Sequence, residues 1–271
     1  MIDPISFSER LMFSTVQITT IEQAGVGSAT GFFFIEPGTE PDTQQIYLVT
    51  NRHVMENATR ASFIMHIALN GKPSGHHFDA IIVNASQQAI YHPDPNIDLC
   101  VISITGFLVD QMSNGMHFFF QGISREVVPT QQQLEALSAI EDVTMMGYPI
   151  GLIDRFNNLP IARRGITANH PAIDFNMLPH GVLDIACFRG SSGSPIFVLN
   201  EGTYSPKSGG IAFNGRAYFL GVQFAGAQES TDGEIEMRPT PTINTPVPVT
   251  KVMVNLAYYV PRIGVDGPTE V

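Results

Sequence analysis

An all-β fold, two six-stranded antiparallel β-barrels set side by side, is predicted for this chain by three observations. Most of its apolar segments are short, rich in β-branched and aromatic residues, and bounded by Gly, Pro, Asn or Asp, which is the pattern of strands. Helical periodicity stands out in one stretch only. That stretch falls near mid-chain and divides the strands into two sets of about six, an arrangement that many short strands with almost no helix satisfy best as two barrels. The 271 residues, 44% hydrophobic and 14% charged, supply a sizeable core and exclude disorder and fibre.

In chain order the first set is residues 12–21, 31–35, 46–50, 62–69, 78–84 and 99–105, with a short segment at 117–120. Punctuation marks their ends: 46–50 stops at Asn51, 62–69 at Asn70-Gly71, and 99–105 at Gly106. The mid-chain connector is helical. Thr130-Gln131-Gln132-Gln133 has the form of a capping box, and Leu134, Leu137 and Ile140 follow at helical spacing. The second set is 143–148, 161–168, 183–188, 195–199, 218–224 and 252–260, with Pro149, Pro160, Pro195 and Pro261 at its boundaries. Residues 231–249 carry Pro239, Pro241, Pro246 and Pro248 among polar residues and predict a long loop. The barrels are expected over 1–125 and 126–271, together one domain.

Charge narrows the function. Against 25 Asp+Glu stand 14 Lys+Arg, a formal net charge of −11, with no basic cluster, so the electrostatic footprint of nucleic-acid binding is lacking and no nucleic-acid partner is expected. The N-terminal residues carry Asp3, Glu9 and Arg10 and no apolar run of signal-peptide length, and no stretch approaches the roughly 18 uninterrupted apolar residues of a membrane span. A cytoplasmic protein without a membrane partner is the expectation. Cys100 and Cys187 each sit inside an apolar segment and are expected as buried free thiols, in keeping with a reducing compartment. Two glycosylation acceptors, Asn57-Ala58-Thr59 and Asn84-Ala85-Ser86, have no meaning without export.

Three local patterns carry chemistry: Thr50-Asn51-Arg52-His53, Asn96-Ile97-Asp98-Leu99, and Arg189-Gly190-Ser191-Ser192-Gly193-Ser194-Pro195. A serine hydroxyl is a weak nucleophile and needs a base within hydrogen-bond reach. A histidine base in turn needs a carboxylate that fixes its tautomer and stabilises the imidazolium. The three types occur in the order His53, Asp98, Ser192. In the third pattern, small residues let successive backbone N–H groups converge on one point, where a tetrahedral oxyanion can sit. Asp94 competes with Asp98 for the histidine, but it lies in a Pro-flanked turn, whereas Asp98 opens a strand.

On these residues the sequence resembles the chymotrypsin-like (trypsin-like) serine peptidases, and within them the bacterial branch with HtrA-type protease domains, over about residues 27–260. The resemblance implies the chymotrypsin-like two-barrel fold with the active site between the barrels, and a serine endopeptidase acting on protein or peptide substrates without metal or cofactor. The family's Thr-x-x-His is matched by Thr50 to His53, its strand-opening Asp by Asp98, and its Gly-x-Ser-Gly-(Gly/Ser)-Pro loop by the run from Gly190 to Pro195. It assigns the base to His53, the orienting carboxylate to Asp98, the nucleophile to Ser192, and the oxyanion hole to the backbone N–H groups of Gly190 and Ser192. Phe224, Ala225 and Gly226 correspond to the strand that pairs with extended substrate.

Two departures from the digestive members alter what is implied. Ser191 stands where they carry an Asp that pairs with a freshly cleaved N-terminus, so activation by N-terminal cleavage is not expected. Ala186 stands at the floor of the P1 pocket, followed by Cys187, which implies an uncharged P1 residue; Glu229, Asp232, Glu234 and Glu236 in the following loop are the counter-indication. Met145 to Leu152 and Asn158 to Ile166 resemble a loop of the second barrel that tunes access and activation. Arg163 and Arg164, adjacent on a strand, face opposite sides, and one of them is a candidate anchor for that loop. The alternative to an active enzyme is a latent or inactive protease-fold module that binds peptides, or that a regulatory partner protein activates; no PDZ-like domain is expected after Val260.

Other patterns carry less. An α/β-hydrolase needs Gly-x-Ser-x-Gly on a strand-to-helix turn, whereas Gly193 follows Ser192 directly and a strand comes next. His66, His76, His77 and His92 lack metal-ligand spacing, and no metal is expected. Gly25 to Gly31 superficially resembles a dinucleotide loop but leads into a strand, and is read as turn and strand entry.

Overall fold

The computed structural model describes residues 2–231 and 250–261. Of the loop expected over 231–249, Thr231 ends a strand and the rest lies outside them, as do Asp232, Glu234, Glu236 and the side chain of Glu229. The N-terminal half is built from β1 (Thr15–Glu22), β2 (Gly25–Pro37), β3 (Gln44–Thr50), β4 (Arg60–Leu69), β5 (Lys72–Val83), β6 (Ile90–Tyr91), β7 (Cys100–Ser103), β8 (Phe118–Phe119) and β9 (Ile123–Ser124). They form one nine-stranded sheet in the order β5-β4-β1-β2-β3-β7-β6, with β8 on β4 and β9 on β2. Three of these strands are two-residue pieces, so six carry the sheet, as the sequence predicts. The C-terminal half is β10 (Asp142–Gly147), β11 (Ile161–Thr167), β12 (Gly181–Asp184), β13 (Pro195–Asn200), β14 (Arg216–Thr231) and β15 (Thr250–Pro261), closed as the barrel β10-β11-β12-β15-β14-β13.

Local chemistry explains the elements. The β4–β5 hairpin turns at Asn70-Gly71, where φ of 52° and 74° suits the two-residue turn that an Asn-Gly pair favours. The hairpin begins earlier than expected, because Lys72 to His77 are too polar to read as strand. The one-turn helix Gln131–Glu135 has the capping box in full: Thr130 and Gln133 satisfy each other's backbone N–H groups. Leu134 and Leu137 are buried, while Ile140 is 67% exposed.

Two expectations require correction. Thr105–Ser113 is a nine-residue helix, the longest in the molecule among the described residues, and it was not visible as periodicity. None of its residues is fully buried: Phe107 and Leu108 lean on the core while Val109 and Met112 face outward, and Gly106 occupies its first turn. The strand expected over 183–188 stops at Asp184, because the chain leaves the sheet there to form the loop that carries Ser192.

Period-two alternation on β2 joins the halves. Phe33 points into the core of the first sheet with Ile18, Leu48 and Phe63. Phe32 and Phe34 point the other way, into a cluster shared with Phe197, Phe219, Val222 and Val260 of the barrel. The Phe32 and Phe219 rings lie 5.6 Å apart. Burying a phenylalanine side chain contributes roughly 1.5–3 kcal/mol, so this seam is a substantial part of the core.

Candidate active site

The candidate base and its carboxylate come from the first half. β3 ends at Thr50, whose Oγ1 donates to the Thr30 carbonyl at 2.8 Å. Asn51, fully buried, stands at the N-cap position of the one-turn helix Arg52–Met55 and, instead of capping it, donates through Nδ2 to the main-chain oxygen of Asp98 at 2.7 Å. Arg52 donates to the His92 carbonyl and lies over the Tyr91 ring, which fixes the start of that turn. His53 then faces Asp98 at two points: its N–H donates to Oδ1 at 3.0 Å, and Nδ1 is 2.5 Å from Oδ2. A carboxylate that binds both the backbone and the ring of one histidine sets the ring's rotation. It also places the proton on Nδ1, so Nε2 is the free basic atom. Asp94 is spent on its own turn, accepting from Asn96 N–H and Nδ2, so Asp98 is the partner of His53.

The serine loop comes from the barrel. Gly190 and Gly193 both have φ of 86°, and both are confined by close backbone. A Cβ at Gly190 would lie 2.4 Å from the Tyr148 carbonyl oxygen, and one at Gly193 would lie 1.9 Å from that of Thr30. Ile150 N–H donates to the Arg189 carbonyl at 2.5 Å. In a trans peptide the C=O and the following N–H point in opposite directions, so this bond turns the N–H of Gly190 away from Ile150. Among the described residues neither Gly190 N–H nor Ser192 N–H has a hydrogen-bond partner. Gly190 is buried and Ser192 half-buried, and backbone donors in such settings are seldom left unpaired, so the two N–H groups make this loop the candidate acceptor site. Ser192 Oγ likewise makes no hydrogen bond, with His53 or any other described residue.

Thr30, which the sequence places in a turn and strand entry, ties the two halves at this point. Its N–H donates to the Ser192 carbonyl at 2.8 Å and its Oγ1 to the Gly190 carbonyl at 2.9 Å. The same oxygen accepts from Tyr148 N–H and from Ser194 Oγ. These four partners lie more than a hundred residues away in the chain, and the only local signal is a hydroxyl residue at the entry to an apolar strand.

The remaining predicted residues line the far side of the serine loop. Ala186 is half-buried, and its carbonyl accepts from Arg163. Cys187 is buried and its Sγ is 2.9 Å from Gln223 Nε2; burial pushes this thiol up, opposed by the Arg163 charge. Cys100 is the other buried free thiol, pushed up to about 12 by burial. β13 last pairs with β14 at Pro195 and Val222, after which Gly193 N–H and Ser194 O bond to Gln223. Past that point Phe224, Ala225 and Gly226 follow a bulge against β15, and their loop-facing edge carries no strand among the described residues. His66 and His77, considered above for metal, face each other across β4 and β5 with rings 5.1 Å apart. Among the described residues no group of three or more His, Cys, Asp or Glu gathers as a metal site would.

No curated protein matches the chain in sequence. Among solved structures it is similar to the HtrA-type protease AlgW with tripeptide, at 12% identity over 95% of this chain with a TM-score of 0.46. It is similar also to the serine endoprotease from Yersinia pestis, at 14% identity over 96% of this chain with a TM-score of 0.47. A third is the human pathogenic astrovirus serine protease, at 15% identity over 94% of this chain and 92% of that one, with a TM-score of 0.43. The chain spans 60% of the length of the AlgW chain and 64% of the Yersinia pestis chain. Residues 29–204 match the trypsin-like peptidase domain family, well over half of the sequence, from Ala29 beside Thr30, through the His53–Asp98 pair, to the end of the glycine-rich loop and beyond. The chain therefore belongs to the trypsin-like peptidase family.

Proposed function

We propose that the chain is a serine endopeptidase in which Ser192, His53 and Asp98 form the catalytic triad. Ser192 Oγ attacks the scissile carbonyl carbon while His53 Nε2 takes its proton; the tetrahedral oxyanion accepts from the N–H groups of Gly190 and Ser192. Collapse breaks the C–N bond, His53 returns the proton to the leaving amine, and an acyl-enzyme on Ser192 remains. Water, activated by the same histidine, repeats the sequence and releases the acid. Asp98 stays ionised and holds the imidazolium in place. The observation that carries this reading is the pairing of a doubly anchored histidine with a glycine loop whose two N–H groups await an acceptor. That arrangement favours an active enzyme over the latent module, because the loop already presents its donors.

Substrate docks as an added strand along the open edge at Phe224 to Gly226, with main-chain bonds giving affinity. The P1 residue is uncharged. Ala186 supplies no acid, and among the described residues the charged group touching it is the Arg163 guanidinium, which opposes Lys or Arg in the pocket.

A fluorophosphonate probe with intact-mass readout tests the reading. A single adduct on the native protein that vanishes in Ser192→Ala supports it; a folded native protein without adduct overturns it in favour of the latent module.

A further inference from the structure

Arg163 and Arg164 are neighbours on β11 and point to opposite sides of it. Arg164 is exposed and reaches Asp142 at 3.5 Å. Arg163 runs under the serine loop: Nη1 donates to the carbonyl of Ala186 and Nη2 to Ser191 Oγ, the latter at 2.8 Å. Its Nε is buried without a partner among the described residues. Gly165 brings the elements this close, since a Cβ there would lie 2.3 Å from the Asp184 carbonyl and 2.6 Å from Ile185 Cβ.

Ser191 is the knot of the loop. It is fully buried, its N–H donates to the Phe188 carbonyl at 3.0 Å, and its carbonyl accepts from Ser194 N–H at 2.9 Å. Its Oγ accepts from Phe188 N–H at 3.3 Å as well as from Arg163. One planar guanidinium therefore spans the loop's entry at Ala186 and the residue directly before Ser192. A fork of fixed donors suits such a bridge, where a lysine's point charge would reach only one end. Both acceptors are neutral, so the loop is held with no cleaved N-terminus and no acid beside the nucleophile.

We infer that Arg163 is the positioning residue of the serine loop, an internal clamp that keeps residues 186–191 in the fold that turns the N–H groups of Gly190 and Ser192 toward one point. This rests on the endopeptidase reading and adds to it what orders the loop from within the barrel.

The test is the second-order rate of fluorophosphonate labelling, with a thermal melt, on the native protein, Arg163→Gln, Arg163→Lys, Ser191→Ala and the double variant Arg163→Gln/Ser191→Ala. Arg163→Gln is expected to stay folded and to label about 10²-fold more slowly, the loss associated with one oxyanion donor. Arg163→Lys recovers part of the rate. In the Ser191→Ala background the Arg163→Gln change costs at least about tenfold less, because the shared bond is already gone. Native labelling by Arg163→Gln, or an equal loss in both backgrounds, overturns the clamp. If Arg163→Gln does not fold, Arg163→Lys and Ser191→Ala decide, and native rates in both overturn it. A native protein that does not label at all overturns the endopeptidase reading first, and the clamp's role with it.

Discussion

Thr30 N–H donates to the carbonyl of Ser192 at 2.8 Å, so a strand of the first sheet holds the proposed nucleophile, carried by the barrel, through its backbone. The same threonine accepts the hydrogen bond of Ser194 and supports Gly190, which makes it a joint between the halves.

Thr30→Val keeps the shape and removes the hydroxyl. Tyr148 N–H and the Gly190 carbonyl are then left without that partner in a buried setting, at a cost of about 2–3 kcal/mol. Urea denaturation is expected to show that loss and Thr30→Ser to recover most of it.

The two candidate carboxylates separate cleanly. Asp98→Asn retains the volume but loses the anion that holds the His53 tautomer, and kcat on a peptide substrate is expected to fall by about 10⁴ at neutral pH. Asp94→Asn changes only a local turn and is expected to leave kcat within about twofold of native. Equal rates for the two variants would remove Asp98 from the triad.

Ile150 has a left-handed backbone, φ 50° and ψ 25°, which a β-branched residue tolerates poorly, and its side chain is 73% exposed. Ile150→Asn keeps the N–H that reaches Arg189 and relieves the strain. A gain of up to about 1 kcal/mol in urea denaturation is expected, with labelling of Ser192 unchanged in rate.

Burial, with the charge of His77 adding to it, pushes His66 down to about 4 from an ordinary 6.5. Its imidazole is thus neutral in the folded protein at a pH where the unfolded chain already takes up the proton. Stability is complete above about pH 6.5 and falls as the pH drops toward 4, by about 2–3 kcal/mol at pH 4.5. Denaturation curves collected from pH 7 to 4.5 are expected to show this slope and His66→Gln to flatten it.

Every expected strand overlaps one in the structure, because alternation and punctuation are local properties that tertiary packing here reinforces. The capping box at Thr130 and the pairing of His53 with Asp98 were legible for the same reason: each motif needs only its own residues in register. The helix Thr105–Ser113 was not, since it lays no apolar stripe against the core. Ile90–Tyr91 and Ile123–Ser124 are too short for any period to show. At the site, Thr30 and Ile150 act through backbone and hydroxyl contacts to residues distant in sequence, and neither side-chain type announces such a role. Arg163 was legible in part, as one of two arginines facing opposite ways, but its acceptors were not.

Phe32, Phe33 and Phe34 serve two interiors in turn, and that leaves no lubricated plane along which the halves could slide. A hinge needs a weakly packed boundary; this one is welded with aromatic rings. His53 and Ser192, carried by opposite halves, therefore belong to a single mechanical body. Heating is expected to melt both halves in one calorimetric transition, so that activity and fold vanish at the same temperature.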